Sequence, residues 1–460
     1  MIKILNTLSG QKEEFIPLKN RRVNMFVCGP TVYDYIHIGN ARTFVFFDVV
    51  SKYLRHKGYA VDYIQNITDI DDKIIQRANE NGRDSLEWAR EYEDKFLKDI
   101  ENIGITGVSK YARATEHIEQ MVKQIKTLIS KGHAYFIEGE GYYFDLKTFP
   151  EYGKLSKRTV QMADDGISRI DESDKKRNTG DFALWKLSKP NEPAWDTELG
   201  KGRPGWHIED TAITEHYFGP QYEIHGGGQD LIFPHHEAEI TQQEAASGKS
   251  PFVKYWIHVA FLVNKERKMS KTLGNFDTVR DLLKKYPKEV LRFYLLSGYY
   301  RSPLDYNDKI FQQSEAGIRR IYEFIQKLNL ATGDGKENIE ERVEKLRQEF
   351  QEAMDDDFNT PQAFASIFDL IRDLNVSLSD NSLDKNSIKK VKELMKEADS
   401  ILGIIPLKQE EFPNEVLELV EKREKFRKDK NWKEADNIRT GIQELGYKVE
   451  DTVYGPLIHS

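Results

Sequence analysis

The 460-residue chain has a single cysteine, Cys28, so no disulfide can close within it and no cysteine-rich zinc finger can be built. No apolar run approaches the roughly 20 residues a membrane helix needs, and Met1-Ile2-Lys3-Ile4-Leu5-Asn6 lacks the apolar core of a signal peptide. Positive charge is in deficit: 68 Lys and Arg face 76 Asp and Glu, a formal net charge of −8. That excludes a surface attracting nucleic acid everywhere, but not a local basic patch. No repeat of fixed period is present, which excludes solenoid architectures. What remains is 39% hydrophobic and 31% charged, a balance that fits large cores under a solvated exterior rather than disorder, collagen or coiled coil. The length allows about three domains. A soluble, cytoplasmic, multidomain protein without membrane association is expected.

The opening pattern is strand, tight turn, helix, strand. Val23-Asn24-Met25-Phe26-Val27-Cys28 is short and β-prone, and Gly29-Pro30 breaks it. Helical spacing of apolar residues from about Ala41 to Lys57 ends at Gly58, and Val61–Asn66 reads as the next strand. Such a βαβ unit predicts a parallel sheet. Amphipathic helices are expected from about 75 to 130, and an insertion with short strands such as Gly141-Tyr142-Tyr143-Phe144 from 131 to 200. Strand signals return at Tyr222–His225 and Tyr255–Ala260, and helical text runs from Thr278 to about 402. Asp355-Asp356-Asp357 is expected to open a helix within it.

Two strings carry chemistry. Pro30-Thr31-Val32-Tyr33-Asp34-Tyr35-Ile36-His37-Ile38-Gly39-Asn40 lies between the first strand and its helix, where free N–H groups suit phosphate. His37 can donate to a phosphate oxygen, and Gly39 lets a ligand approach the backbone; read alone, the same residues are simply a helix cap. Glu266-Arg267-Lys268-Met269-Ser270-Lys271-Thr272-Leu273-Gly274-Asn275 has two lysines three apart in a loop that suits a polyphosphate, or is an ordinary basic loop.

Together, about 230 residues apart and each after a strand, the two strings resemble the signature motifs of class I aminoacyl-tRNA synthetases. Asn40 stands where the first motif usually ends in histidine, and Lys268-Met269-Ser270-Lys271 matches the second fully. Phe26–Tyr33, Asn66-Ile67-Thr68-Asp69-Ile70-Asp71-Asp72-Lys73, Gly202–Glu209 and His225–Glu237 look like the cysteinyl-tRNA synthetase family, over residues 1 to about 455. The resemblance implies an α/β fold: a doubly wound, Rossmann-like parallel-sheet catalytic domain in two halves (1–118 and 201–305, the second with the KMSK loop) around an insertion (119–200). An all-α helical bundle (306–405) and a small anticodon-binding module (406–460) would follow.

The implied activity is ATP-dependent activation of L-cysteine to cysteinyl-adenylate and its transfer to the 3′ end of tRNA(Cys), with Mg²⁺ accompanying ATP, in a monomer. His37, Asn40, Lys268 and Lys271 would be catalytic. Gly39, Gly226, Gly228, Asp230 and Lys271 would bind ATP, while Gly29, Thr68, Trp206 and Asp230 would bind cysteine. The family holds a zinc ion at the base of the amino-acid pocket with two cysteines, a histidine and a glutamate, a physical means of choosing sulfur over oxygen. Cys28, His235 and Glu239 align with three ligands; the fourth position is Asp210, a harder donor of the same charge. From Lys422 to Lys433 seven basic and two acidic side chains surround Phe426 and Trp432, a pattern suited to phosphate and unstacked bases. Arg427, Trp432, Asp436 and Asp451 match the end that reads the anticodon. A related cysteine–aminosugar ligase lacks a complete anticodon end, and an inactive RNA-binding paralogue would not need Lys268 and Lys271.

Overall fold

The computed structural model describes residues 1–158, 173–190, 192–263, 277–406, 412–452 and 455–459. Contacts divide the chain into two units. Met1–Leu291, Leu295–Asn307 and Asp355–Asn359 form the first; Arg292–Tyr294, Asp308–Met354 and Thr360–Ser460 form the second.

A small antiparallel pair, β1 (Lys3–Asn6) and β2 (Gln11–Glu14), precedes the main sheet. That sheet comprises β3 (Arg22–Val27), β4 (Ala60–Ile67), β5 (Lys110–Arg113), β10 (Tyr222–Gly228) and β11 (Val253–Val259), and every pairing within it is parallel. The spatial order β11-β10-β3-β4-β5 reverses direction between β3 and β10, so the sheet is doubly wound as expected. Both faces are covered, which is why β3 buries Val23 to Val27 without alternation. The helix α1 (Ile38–His56) crosses from β3 to β4 and is buried nearly all round, from Ile38 to Leu54. His37 caps its start, accepting from the Gly39 and Asn40 amides, and Gly58 ends the crossover at φ +84°.

The insertion between β5 and β10 is an antiparallel sheet of β6 (Ala134–Ile137), β7 (Gly141–Phe144), β8 (Phe182–Leu187) and β9 (Gly202–Pro204). Its last strand leads through Gly205 and Trp206 into the helix Ile208–Phe218. In the second unit the helices Asp308–Leu330, Glu340–Asp355, Thr360–Ser379 and Lys385–Leu402 precede a terminal module. The module has helices Asn414–Lys428 and Trp432–Glu444 and a hairpin, Lys448–Thr452 with Gly455–His459, around Val416, Val420, Ile442 and Val449. Among the described residues no helix is long and apolar enough to cross a membrane.

The acidic triplet does not open a helix: Asp355 ends one, and the next begins at Thr360. Tertiary partners take the charges instead. Asp355 accepts from the Tyr53 hydroxyl at 2.6 Å and Lys57 at 3.1 Å, and Asp356 pairs with Lys12 at 2.6 Å. Asp357, fully buried, accepts from Leu5 N at 2.8 Å, the Tyr300 hydroxyl at 2.9 Å, Arg301 Nε at 3.2 Å and the Tyr299 hydroxyl. Asp357 and Phe358 adopt φ of +60° and +53°, a left-handed turn that no helix can run through. Removing one member of a buried pair strands the other, so Asp357→Ala should destabilise the first unit by roughly 3 kcal/mol. Thermal melting checks this; a midpoint moved by less than about 1 °C would count against it.

Candidate active site

A cavity of about 1010 Å³ opens at the carboxyl ends of β3, β4, β10 and β11, over the point where strand order reverses. Cys28, Gly29, His37, Gly39, Asn40, Thr68, Trp206, Asp210, Gly228, Asp230 and His235 all line it. The backbone explains this convergence. Cys28 N donates to Gly226 O at 3.0 Å, Thr68 N to Pro30 O at 3.1 Å and Val32 N to Thr68 O at 3.2 Å, so the chain leaving β3 is laced to both neighbours. Gly29 donates to Asn66 Oδ1 at 2.5 Å, and a Cβ there would stand 1.8 Å from Asn66 O. Gly226, by contrast, packs under the Phe47 ring, where a Cβ would meet Cζ at 2.0 Å; it serves strand–helix contact and does not line the cavity.

His37 Nδ1 accepts from Gly39 N at 3.1 Å and Asn40 N at 3.3 Å. In a neutral ring this assigns the proton to Nε2, a donor suited to phosphate, so capping and ligand binding are compatible. Ile38 N donates to Asp277 O and Val279 N to Ile36 O, at 3.2 and 3.1 Å. Leu262 and Val263 line the cavity. The chain on both sides of 264–276 therefore borders this cleft, although Lys268 and Lys271 themselves lie outside the described residues.

The cavity floor is a buried donor cluster. Cys28 Sγ lies 3.3 Å from Asp210 Oδ2 and 4.0 Å from Glu239 Oε1. His235 Nε2 is 3.0 Å from Asp210 Oδ2 and 3.1 Å from Glu239 Oε1, and Trp206 stacks on its ring at 4.1 Å. These four donors can hold a metal ion. Burial, then the charges of Asp210 and Glu239, pushes the Cys28 thiol well up. Burial, then Asp210 and Glu209, does the same to Glu239. Asp210 Oδ1 is buried and accepts no hydrogen bond, an oxygen left for a cation rather than for protein. The donor set is one that zinc accepts.

Sequence reasoning missed several residues here. His225 Nε2 and His236 Nε2 also face Cys28, at 3.4 and 3.0 Å, and His236 Nδ1 meets His258 Nε2 at 2.8 Å. Glu209, fully buried, accepts from Asn66 Nδ2 at 3.2 Å and from the Thr68 hydroxyl. The available signal was compositional: five of only 11 histidines, His207, His225, His235, His236 and His258, gather at this floor. In the second unit, Asp451 takes Arg423 at 2.8 and 2.9 Å and Arg427 at 2.7 Å. Trp432 is 56% exposed, Asp436 is exposed, and the Arg427 guanidinium stands 5.7 Å from the Trp432 ring centre.

Comparison with known proteins now bears on this geometry. Residues 14–316 match the tRNA synthetases class I (C) catalytic domain, 349–406 the DALR domain, and 409–453 the cysteinyl-tRNA ligase anticodon binding domain. The chain belongs to the cysteinyl-tRNA ligase family of class I tRNA synthetases. A cysteine–tRNA ligase of Caldicellulosiruptor saccharolyticus is 45% identical, over 99% of this chain and 98% of the relative. That of Thermococcus gammatolerans is 44% identical, with the same two coverages of 99% and 98%. The fold is shared with Mycobacterium tuberculosis methionyl-tRNA synthetase in complex with methionyl-adenylate, at TM-score 0.62 and 14% identity over 83% of this chain and 92% of that one. It is also shared with an Agrobacterium radiobacter K84 LeuRS–tRNA–LeuAMS complex, at TM-score 0.63 and 10% identity over 85% of each chain.

Two predictions follow from these contacts. Gly29→Ala should lower cysteine-dependent ATP–pyrophosphate exchange by about 100-fold or more, because its Cβ forces β3 and β4 apart at the cavity. Rates within a few-fold of the parent would refute that reading. The Arg423 hydrogen bond holds the Asp451 carboxyl below its usual range. Its contribution is therefore present above the unfolded carboxylate value of about 3.9 and lost as pH falls through the depressed one. Acid titration of the terminal module followed by circular dichroism should show this loss, and Asp451→Asn should flatten it.

Proposed function

We propose that this chain activates L-cysteine with ATP and passes it to tRNA(Cys). The observation that carries this reading is one cleft bordered by the His37 cap, by both ends of the lysine segment, and by a buried sulfur-and-carboxylate floor. The cysteine carboxylate attacks the α-phosphate of ATP, supplied as its Mg²⁺ complex, and pyrophosphate leaves. The 3′-terminal ribose of the tRNA then takes the aminoacyl group. There is little covalent work for the protein, so positioning and charge stabilisation carry the acceleration.

His37 and Asn40 hold phosphate oxygens at the positive end of α1, with Gly39 admitting the nucleotide. Gly226 supports this wall by packing, while Gly228 and Asp230 meet adenosine and the ammonium of cysteine. Thr68, Gly29 and Trp206 shape the amino-acid pocket. Lys268 and Lys271 neutralise departing pyrophosphate. Zinc fits the floor, where Cys28, Asp210, His235 and Glu239 would hold it. When bound it keeps a coordinated thiol ionised, an interaction no serine hydroxyl matches. Arg427, Trp432, Asp436 and Asp451 contact the anticodon, with Asp451 orienting Arg427. The assigned parts are 1–118 and 201–305 for catalysis, 119–200 as insertion, 306–405 as bundle and 406–460 for the anticodon, in a cytoplasmic monomer.

Charging of tRNA(Cys) with cysteine, with serine as competitor and with or without a chelator, tests the reading. Cysteine should win by a wide margin, and failure to charge with cysteine would end it. Lys271→Ala should reduce exchange by about 10²–10³-fold, the usual loss of one charge-stabilising donor. Unaltered exchange would show that the lysine segment is not part of the reaction.

A further inference from the structure

The cavity has a wing that the reaction proposed above leaves unused. Tyr33 and Asp34, on the chain leaving β3, line it together with Lys73, Gln76, Arg77 and Glu80 from the helix Asp72–Glu80 that follows β4. The helix explains why these side chains gather. Residues 73, 76, 77 and 80 stand at i, i+3, i+4 and i+7 on one face, while Ile74, Ile75 and Ala78 are buried on the other. Asp71 caps the helix by accepting from Lys73 N at 2.9 Å.

Among the described residues, Lys73 and Arg77 are the only lysine and arginine that line the cavity, and both side chains are exposed. Arg77 stands 3.6 Å from Asp34 and 3.6 Å from Glu80, longer than a hydrogen bond, and all three are open to solvent. Such pairs are worth little and yield to a better anion. Lys73 Nζ lies 5.9 Å from the centre of the Tyr33 ring, and its charge also bears on Asp71.

Position decides which anion this is. The chain from Gly29 to His37 runs from the amino-acid pocket to the phosphate cap, so the carbonyl of the adenylate forms beside it, and Asp34 meets Arg77 from that chain. β4 and β11 are separated by β3 and β10, three strand spacings or about 14 Å. The helix after β4 and the residues Leu262 and Val263 after β11 therefore border different ends of the cavity. Pyrophosphate is read at the β11 end, and the reaction has one other polyanion, the tRNA, whose 3′ ribose has to reach the same carbonyl.

We propose that Lys73 and Arg77 hold backbone phosphates of the unpaired 3′ end of the tRNA as its terminal ribose approaches the adenylate. This deepens the function proposed above and rests on it. Cations beside an aromatic ring suit an unpaired strand, because phosphate meets charge and a base can lie on the Tyr33 ring. The two cations are one helical turn apart, about 6 Å along the axis, so they meet the strand at two points. Arg77 exchanges its loose carboxylate contacts for a phosphate that it takes through two N–H groups. The cavity volume, about 1010 Å³, is at the top of the roughly 300–1,000 Å³ that one small ligand needs, which leaves room for the strand.

Full-length protein carrying Lys73→Ala, Arg77→Ala or both is assayed for cysteine-dependent ATP–pyrophosphate exchange and for charging of tRNA(Cys) at several salt concentrations. Exchange should stay within about twofold of the parent, which also shows that the variants fold. kcat/KM for tRNA should fall by about tenfold for each single variant and about 50-fold or more for the double. The log–log salt slope of tRNA binding should lessen by about 0.7 per cation removed, a readout that a purely structural role does not move, and Lys73→Arg should restore it. Exchange falling in step with charging would overturn the proposal and give the two cations to ATP. Charging and slope both unchanged would also overturn it while leaving the function standing. A parent protein that neither exchanges nor charges with cysteine would overturn the function and this inference together.

Discussion

The structure depends on keeping a thiol and several carboxyl groups out of water at one point. Cys28, Asp210, Glu209 and Glu239 are all buried there, and burial is the largest influence on the raised thiol and on the raised Glu209 and Glu239 carboxyls. No single element could hold such a group together, since each supplies one or two donors and all repel in their ionised forms. The fold brings them in from separate directions. Cys28 comes off β3, Glu209 and Asp210 from the start of the helix Ile208–Phe218, and Glu239 from the helix Glu237–Ser247 that follows β10. A parallel sheet whose order reverses between β3 and β10 is what leaves room for them at a common end.

That floor is a cluster of buried side-chain donors, and the rim is built differently. Asn66 ties Gly29, Thr68 and Glu209 into one network beside the cavity, so a small displacement of β4 reaches two lining residues, Gly29 and Thr68, and the buried Glu209 at once. The segment around His37 is held by main-chain bonds to Asp277 and Val279.

Local signals carried the first crossover well. The apolar run of β3, the break at Gly29-Pro30 and the helix stopped by Gly58 depend on neighbours in sequence, and the observed β3 (Arg22–Val27) and α1 (Ile38–His56) lie within a few residues of expectation. The doubly wound sheet followed from the same unit. Legibility fell wherever a partner distant in sequence decided the outcome. Asp355-Asp356-Asp357 reads locally as a helix start; Arg301, Tyr300 and the Leu5 amide instead stop the chain in a left-handed turn. Gly226 reads as a glycine that admits a ligand, and Phe47 on α1 claims the space. His225 and His236 carry no spacing signature, because strand and helix present them to Cys28 from different sides.

Residue 210 is where sulfur chemistry and fold stability meet. Cys28, Asp210 and Glu239 are buried together there, so a cation held between them would offset charge that the fold keeps from water. A cation there would meet a substrate thiol only from the cavity side, which Cys28, Asp210 and His235 line. A carboxylate at 210 keeps the charge of the family's cysteine but gives up its softness. A hydrophobic wall by itself distinguishes a thiol from a hydroxyl only modestly, and the cavity floor adds polar groups, Asp210 and the His235 imidazole stacked with Trp206.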